Sequence, residues 1–92
     1  MIQSDYKDIN YIFLFRLLQL LNDSTIAEIA EKMGYTSVYC NMVLIGNHNM
    51  SKKFKRALIV LTEELYGSGA AVTILENIES VLELHKGGAV SG

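Results

Sequence analysis

Apolar residues in the first part of the chain recur at helical spacing, and short polar or glycine-containing stretches interrupt them. Residues 7–21 predict a first helix that is apolar on nearly every side, although a surface helix needs a stripe only about 100° wide. This excess indicates burial on two sides, against the domain or against a partner chain. Residues 25–33 predict a second helix, with Asp23 or Ser24 as its N-cap and Glu28 within reach of the first turn.

Three further helices follow from the same pattern. A third helix is predicted over residues 36–45 with Thr36 as its cap, and a fourth over 51–66 with Ser51 as its cap. The fifth segment, 70–86, is amphipathic, and glutamates lie opposite its apolar stripe. Strand-like alternation persists nowhere, so the sequence predicts a single all-α domain over residues 1–86 and a disordered tail over residues 87–92.

Composition narrows the chemistry that the chain can perform. At 92 residues, half of them apolar, it has room for one core. Cys40 is the only cysteine, and the two histidines are far apart, so we expect no disulfide, metal or other cofactor. The inward spacing of Cys40 predicts a core thiol, since a redox sensor needs an exposed thiolate. Because no nucleophile–base–acid set, glycine-rich phosphate loop or paired carboxylates occur, we do not expect an enzyme.

The charge is unevenly distributed along the chain, although the net charge is only −2. Residues 24–62 carry five cations against two carboxylates, whereas residues 63–92 carry five glutamates against one lysine. A basic middle permits contact with phosphate groups while the acidic third keeps the chain soluble. The cluster KKFKR, residues 52–56, is therefore interpreted as a phosphate-binding segment, with a solvated helix face as the simpler alternative.

The longest apolar stretch, residues 9–21, is too short and too interrupted by polar residues to span a bilayer. The N-terminal residues MIQSDYKD lack the basic region and the cleavage site of a signal peptide. We therefore expect no membrane association and a cytoplasmic location.

The second and third helices carry the residues that a helix-turn-helix requires. Ala30 supplies a small residue where the helices approach, Gly34 supplies the turn, and Cys40 and Val43 supply the inward contacts of the second helix of the unit. With Gly46 twelve residues after Gly34 and a serine-capped helix following, residues 24–61 resemble the lambda-repressor-like (Cro/C1-type, XRE-like) helix-turn-helix family. Residues 9–21 fit the first helix of that family.

The resemblance implies a compact five-helix domain with a helix-turn-helix core at about residues 24–46. It implies a cytoplasmic DNA-binding transcription regulator, such as a repressor, of phage, plasmid or bacterial type, commonly a homodimer on double-stranded operator DNA. The third helix would lie in the major groove. Carried over by position, the base-reading residues are Thr36, Ser37, Val38, Asn41 and Met42. The phosphate-binding residues are Tyr39, Asn47, His48, Asn49, Lys52, Lys53 and Lys55.

The outward face of the third helix departs from the usual chemistry of base reading. Of Val38, Asn41, Met42 and Ile45, only Asn41 can make a bidentate contact with a base, although Val38 and Met42 can contact thymine methyl groups. An apolar face of this kind also fits a protein-interaction module on the same fold, such as an antirepressor or a modulator of another regulatory protein. Both functions are kept as hypotheses.

The apolar stripe of the fifth segment is formed by Leu75, Ile78 and Leu82. It can belong either to the core or to a dimer interface. Because four preceding helices already close a small core, we favour the interface and interpret residues 70–86 as a dimerisation helix.

Overall fold

A computed structural model describes residues 6–91 of the chain, and the side chains of residues 6–85. Within this part the regular elements are all α-helices, and the five predicted helices are confirmed. Helix α5 is assigned five residues beyond the predicted end. The tail predicted to be disordered falls where side chains are not described, and Gly92 lies outside the described residues. The helices are α1 (Asp8–Asn22), α2 (Ile26–Met33), α3 (Ser37–Leu44), α4 (Lys52–Tyr66) and α5 (Ala70–Ser91).

Local side-chain chemistry sets where the helices begin. The N-cap of α2 is Thr25, which corrects the predicted Asp23 or Ser24. The Glu28 N–H donates to the Thr25 hydroxyl oxygen at 3.1 Å, and the Thr25 N–H donates to the Glu28 carboxylate at 2.8 Å. This reciprocal pair satisfies two donors that a helix N-terminus leaves unpaired. Asp23 instead ends α1, in the left-handed conformation with φ of 49°.

The Thr25 cap gives a first prediction. Thr25→Ala removes the acceptor for the Glu28 N–H, so we expect the free energy of unfolding to fall by about 1 kcal/mol. The measurement is urea unfolding followed by circular dichroism. Thr73→Ala is the matched control, because Thr73 is exposed near the start of α5 and alanine is the better helix former there. Equal destabilisation by both substitutions would contradict the role of the cap.

The turn between α2 and α3 depends on a glycine. Gly34 has φ of 83°, in the left-handed region that an L side chain rarely adopts. This conformation lets the Tyr35 N–H donate to the Ala30 carbonyl at 2.9 Å, which closes the end of α2. Helix α3 begins three residues after Gly34, at Ser37, and packs against α2.

The core lies where α1, α2, α3, α4 and the first half of α5 meet. Helix α5 packs against α1 and α4, and α2 packs against α1, α3 and α4. Phe15 of α1 and Phe54 of α4 stack at its centre, with ring centroids 6.5 Å apart. The predicted inward positions are confirmed, since Ala30, Cys40 and Val43 are all buried.

Two polar residues, Asn10 and Thr62, are also buried in this packing. Asn10 of α1 has no exposed surface, and its amide Nδ2 donates to the Glu79 carboxylate of α5 at 2.8 Å. Because a buried amide needs a partner, this bond ties the start of α1 to the middle of α5.

No single helix of the described residues combines the length and the hydropathy needed to cross a membrane. Helices α4 and α5 have the required length and hydropathy only when they are taken together, and a bend of 110° separates them.

Candidate functional site

The predicted base-reading residues lie on an exposed side of α3. Ser37, Val38, Asn41 and Met42 are all exposed, and 68% of the surface of Val38 is accessible. On the other side of the helix, Cys40, Val43 and Leu44 are buried in the core. Ile45 directly follows α3 and is also exposed. The result is a surface with two polar side chains, Ser37 and Asn41, among three apolar ones; we call these five residues the α3 face.

Thr36 has a structural task at the start of α3. Its hydroxyl oxygen accepts a hydrogen bond from the Tyr39 N–H at 3.1 Å, as expected of an N-cap. The hydroxyl hydrogen stays available, because a threonine hydroxyl can donate while it accepts. Thr36 can therefore donate to a ligand while it caps the helix, and one acceptor lone pair of its oxygen also stays available.

An aromatic cluster connects the first turn of α3 to α4. Tyr39 lies 5.1 Å from Tyr35 and 5.8 Å from Phe54, measured between ring centroids, and Tyr35 lies 5.2 Å from Phe54. Burial raises the pKa of Tyr35 above its ordinary value, and a hydrogen bond with Ser51 opposes that rise. Tyr39 is one of the predicted phosphate-binding residues. Its ring is half-buried and packs against Tyr35 and Phe54.

The loop from Gly46 to Met50 lies beside this cluster. The ring of His48 meets Tyr39 edge-on, with centroids 5.1 Å apart, and His48 Nδ1 is 3.2 Å from the Asn49 carbonyl oxygen. Met50 is buried and anchors the end of the loop, while Asn47, His48 and Asn49 remain exposed. The predicted loop residues therefore lie next to the beginning of α3.

Tyr35, Phe54 and Met50 hold this region in place, and this role was not predicted from the sequence. The four-residue separation of Tyr35 and Tyr39 was an available signal. The contacts of Phe54 with Tyr35 and Tyr39 have no comparable signal in the sequence, because they depend on how α4 packs.

The first turn of α4 carries two exposed lysines, Lys52 and Lys53, and no acidic residue. Ser51 caps the helix by accepting a hydrogen bond from the Phe54 N–H at 3.1 Å. Among the described residues neither lysine takes part in an ion pair. A helix N-terminus carries partial positive charge and disfavours cations by about 0.3–1 kcal/mol each. The two lysines therefore form a concentration of uncompensated positive charge beside the α3 region.

Lys55 is separated from this pair of lysines. Its Nζ lies 2.9 Å from the Asp8 carboxylate of α1 and 5.2 Å from the centroid of the Tyr11 ring. Only 15% of its side chain is exposed. Because its charge is already paired and directed toward α1, we leave Lys55 out of the phosphate-binding set.

Two other predicted features belong to the core. Cys40 is fully buried, and burial raises the pKa of its thiol, which is the opposite of what a reactive thiolate needs. Leu75 is buried as well, so its side chain has no surface left for a partner and we assign it to the core. Ile78 and Leu82 are half-buried and line a groove between α1 and α5. Thus the predicted interface stripe divides between core and surface.

Comparison with known protein families, with curated proteins and with solved structures gives no match to this chain. The class of protein is therefore defined by the fold alone: over residues 6–91 it is an all-helical globule of five helices. Its function has to be inferred from the α3 face, the neighbouring loop and the first turn of α4.

Proposed function

We propose that this protein is a small sequence-specific DNA-binding transcription regulator with a lambda-repressor-like helix-turn-helix fold. Helices α2 and α3 form the helix-turn-helix unit, and α3 enters the major groove of double-stranded DNA. The resemblance of residues 24–61 to that family supports this proposal, as does the exposure of the α3 face. A cytoplasmic location is part of the same proposal.

The observation that carries the proposal is the position of Lys52 and Lys53. These two side chains occupy the first turn of a helix, where the backbone dipole makes cations unfavourable in the free protein. A phosphate group at this point relieves both the repulsion between the lysines and their repulsion by the dipole, because backbone N–H groups at a helix N-terminus bind anions. The aromatic contacts of Tyr39 with His48 and Phe54 put this turn next to α3.

Each part of the surface then has a distinct task. Asn41 donates and accepts at an adenine edge, Ser37 makes a single hydrogen bond, and Val38 and Met42 contact thymine methyl groups. Asn47, His48 and Asn49, together with the two lysines, hold phosphate oxygens and fix the orientation of α3. With few base-edge contacts available, part of the sequence preference has to come from the shape of the DNA.

The test is selection of binding sites from a random duplex library, followed by titration of the selected duplex at several salt concentrations. We expect affinity to fall linearly with salt on a logarithmic scale, and a preferred sequence to emerge. Ser37→Ala and Asn41→Ala should change preference among sequences, by about 1–3 kcal/mol at the base pair they contact. Binding no tighter than to arbitrary duplex, even at low salt, would reject the proposal.

A protein-interaction module is the second candidate, and the apolar character of the α3 face favours it. Val38, Met42 and Ile45 are exposed together on a surface without arginine or glutamine. Protein interfaces are depleted of charge at their centre, as this surface is. Capture from a host lysate with the wild type and with Met42→Asp separates the candidates. A protein that is captured by the wild type and lost with Met42→Asp, without any DNA preference, would favour the second function.

A further inference from the structure

The ring of His48, in the loop between α3 and α4, has only one of its two nitrogens engaged. Nδ1 lies 3.2 Å from the Asn49 carbonyl oxygen, and no described residue makes a hydrogen bond with Nε2. The ring also meets Tyr39 edge-on, with centroids 5.1 Å apart, and the side chain is exposed to solvent. Two neighbours thus orient the ring, while Nε2 is left for a ligand.

The contact with Asn49 decides which ring nitrogen of His48 carries the hydrogen. A carbonyl oxygen can only accept, so Nδ1 must donate to it. In the neutral imidazole the other nitrogen, Nε2, then has a lone pair and no hydrogen. A phosphate oxygen is itself an acceptor and forms no hydrogen bond with such a nitrogen. Only the protonated ring, in which both nitrogens are donors, can bind phosphate while it keeps its bond to Asn49.

The charges around His48 couple its protonation to the arrival of an anion. Tyr39 is the titratable residue that α3 places against the ring, and the first turn of α4 follows with Lys52 and Lys53. The chain has no aspartate or glutamate over residues 32–62, which include α3, the loop and most of α4. A proton on the ring therefore adds a third positive charge to a region without acid. A phosphate group compensates that charge through charge-assisted hydrogen bonds, so protonation and phosphate binding favour each other.

The carboxylates of the helices that pack nearby do not supply this compensation. Helix α2, which packs against α3 and α4, carries Glu28 and Glu31. Glu28 is occupied at the N-cap of its own helix, and Glu31 is exposed. Glu63 and Glu64 belong to the end of α4 opposite its lysines. Over the described residues no hydrogen bond or ion pair joins any of these four carboxylates to His48, so an external anion has to balance the protonated ring.

We infer that His48 is a proton-dependent phosphate contact, through which this protein binds DNA more tightly as the pH falls. The inference rests on the proposed function, because the anion is a phosphodiester group of the duplex. At low pH the ring carries both hydrogens and the contact forms. As the pH rises through the range in which imidazoles titrate, around pH 6–7, Nε2 loses its hydrogen and the contact is lost. Lys52 and Lys53 keep their charge throughout, so binding weakens without being abolished.

The experiment measures the affinity of the full chain for an arbitrary fluorescent duplex at about pH 8 and about pH 5.5, on either side of the imidazole range. Phosphate groups are present in every sequence, so no preferred site is needed, and the buffers contain no phosphate. We expect the wild type to bind on the order of 10-fold more tightly at the lower pH, because one charged hydrogen bond is added. The magnitude of the salt slope should be larger there by about 1, since one more counterion is displaced.

Three variants assign the effect to the ring, and circular dichroism at both pH values checks that each is folded. His48→Gln should bind almost equally at both pH values, because an amide takes up no proton in this range. His48→Arg has a permanent charge and should bind at about pH 8 as tightly as the wild type does at about pH 5.5. His85→Gln is the matched control, because the chain has only these two histidines and His85 is exposed on α5. PH dependence kept by His48→Gln, or lost in His85→Gln, would overturn the inference.

The tautomer of His48 is measured without DNA, from the nitrogen chemical shifts of the ring at about pH 8, where imidazoles are neutral. The variant His85→Gln leaves His48 as the source of these signals. We expect the hydrogen on Nδ1. A hydrogen mainly on Nε2 would overturn the inference, because the neutral ring could then already donate to phosphate.

Failure of the proposed function gives a different result from failure of the inference alone. If the wild type binds no duplex at either pH, even at low salt, the proposed function fails and the inference falls with it. If a duplex is bound with a salt-dependent affinity that is equal at both pH values, only the inference fails. Lys52 and Lys53 then remain as the phosphate contacts.

Discussion

Replacing both Lys52 and Lys53 by glutamate is expected to weaken binding to every duplex alike. The physical reason is that the two lysines hold phosphate groups, which are present in all sequences. The slope of log affinity against log salt is negative, and reversing both charges should make its magnitude smaller by about 2. Affinity at low salt should fall by on the order of 100-fold. Fluorescence anisotropy with the selected duplex and with an arbitrary duplex measures both effects.

The same double substitution should make the free protein slightly more stable. Glutamates in the first turn of α4 interact favourably with the helix dipole, by about 0.3–1 kcal/mol each, where the lysines interact unfavourably. A loss of DNA affinity together with a higher melting temperature therefore excludes damage to the fold as the cause. For a matched control, the single variant Lys7→Glu is compared with the single variant Lys53→Glu. Lys7 is also an exposed lysine, but it precedes α1. Equal losses of affinity from these two single substitutions would contradict the assigned position of the phosphate contacts.

Phe54→Ala is expected to have the largest effect on stability. Phe54 is fully buried, stacks on Phe15 and contacts both Tyr35 and Tyr39. Removing its ring leaves a cavity and should lower the free energy of unfolding by about 3–5 kcal/mol. Since small domains are stable by about 5–15 kcal/mol in total, this loss is visible by urea unfolding, and the loop around His48 should loosen as well.

Leu65→Ala is the control on the same helix. Leu65 is 37% exposed, so its truncation should cost much less than that of Phe54. If Phe54→Ala does not fold, Phe54→Leu keeps most of the volume and should cost about 1.5 kcal/mol or less. A cost for Phe54→Ala no larger than that for Leu65→Ala would show that Phe54 does not hold the core together.

The helices themselves could be predicted because their signals are local. Periodic apolar residues mark each helix, and the capping oxygens of Thr36 and Ser51 lie three residues before the N–H groups that they accept from. Gly34 ends α2 because its own backbone conformation permits the turn. The error at the start of α2 was equally local. Asp23, Ser24 and Thr25 can all cap a helix, and the pairing of Thr25 with Glu28 selects one of them.

Only those parts of the candidate site that depend on the geometry of a single helix could be predicted from the sequence. A rotation of about 100° per residue is enough to put Ser37, Val38, Asn41 and Met42 on one side of α3 and Cys40 and Val43 on the other. The lysines of α4 look equivalent in the sequence, yet Asp8 pairs with Lys55 from 47 residues away and leaves Lys52 and Lys53 unpaired. No local pattern contains that information.

The division between sequence and structure thus follows the range of the interactions. The sequence by itself determined five helices, the glycine turn between α2 and α3 and the outward residues of α3, because neighbours within about four positions decide them. Only the tertiary structure decided that Leu75 belongs to the core, that Tyr39 is packed against Phe54, and that α1 and α5 leave an apolar groove between them. These outcomes depend on contacts between helices distant in the chain, where apolar area and steric fit, rather than periodicity, select the partner.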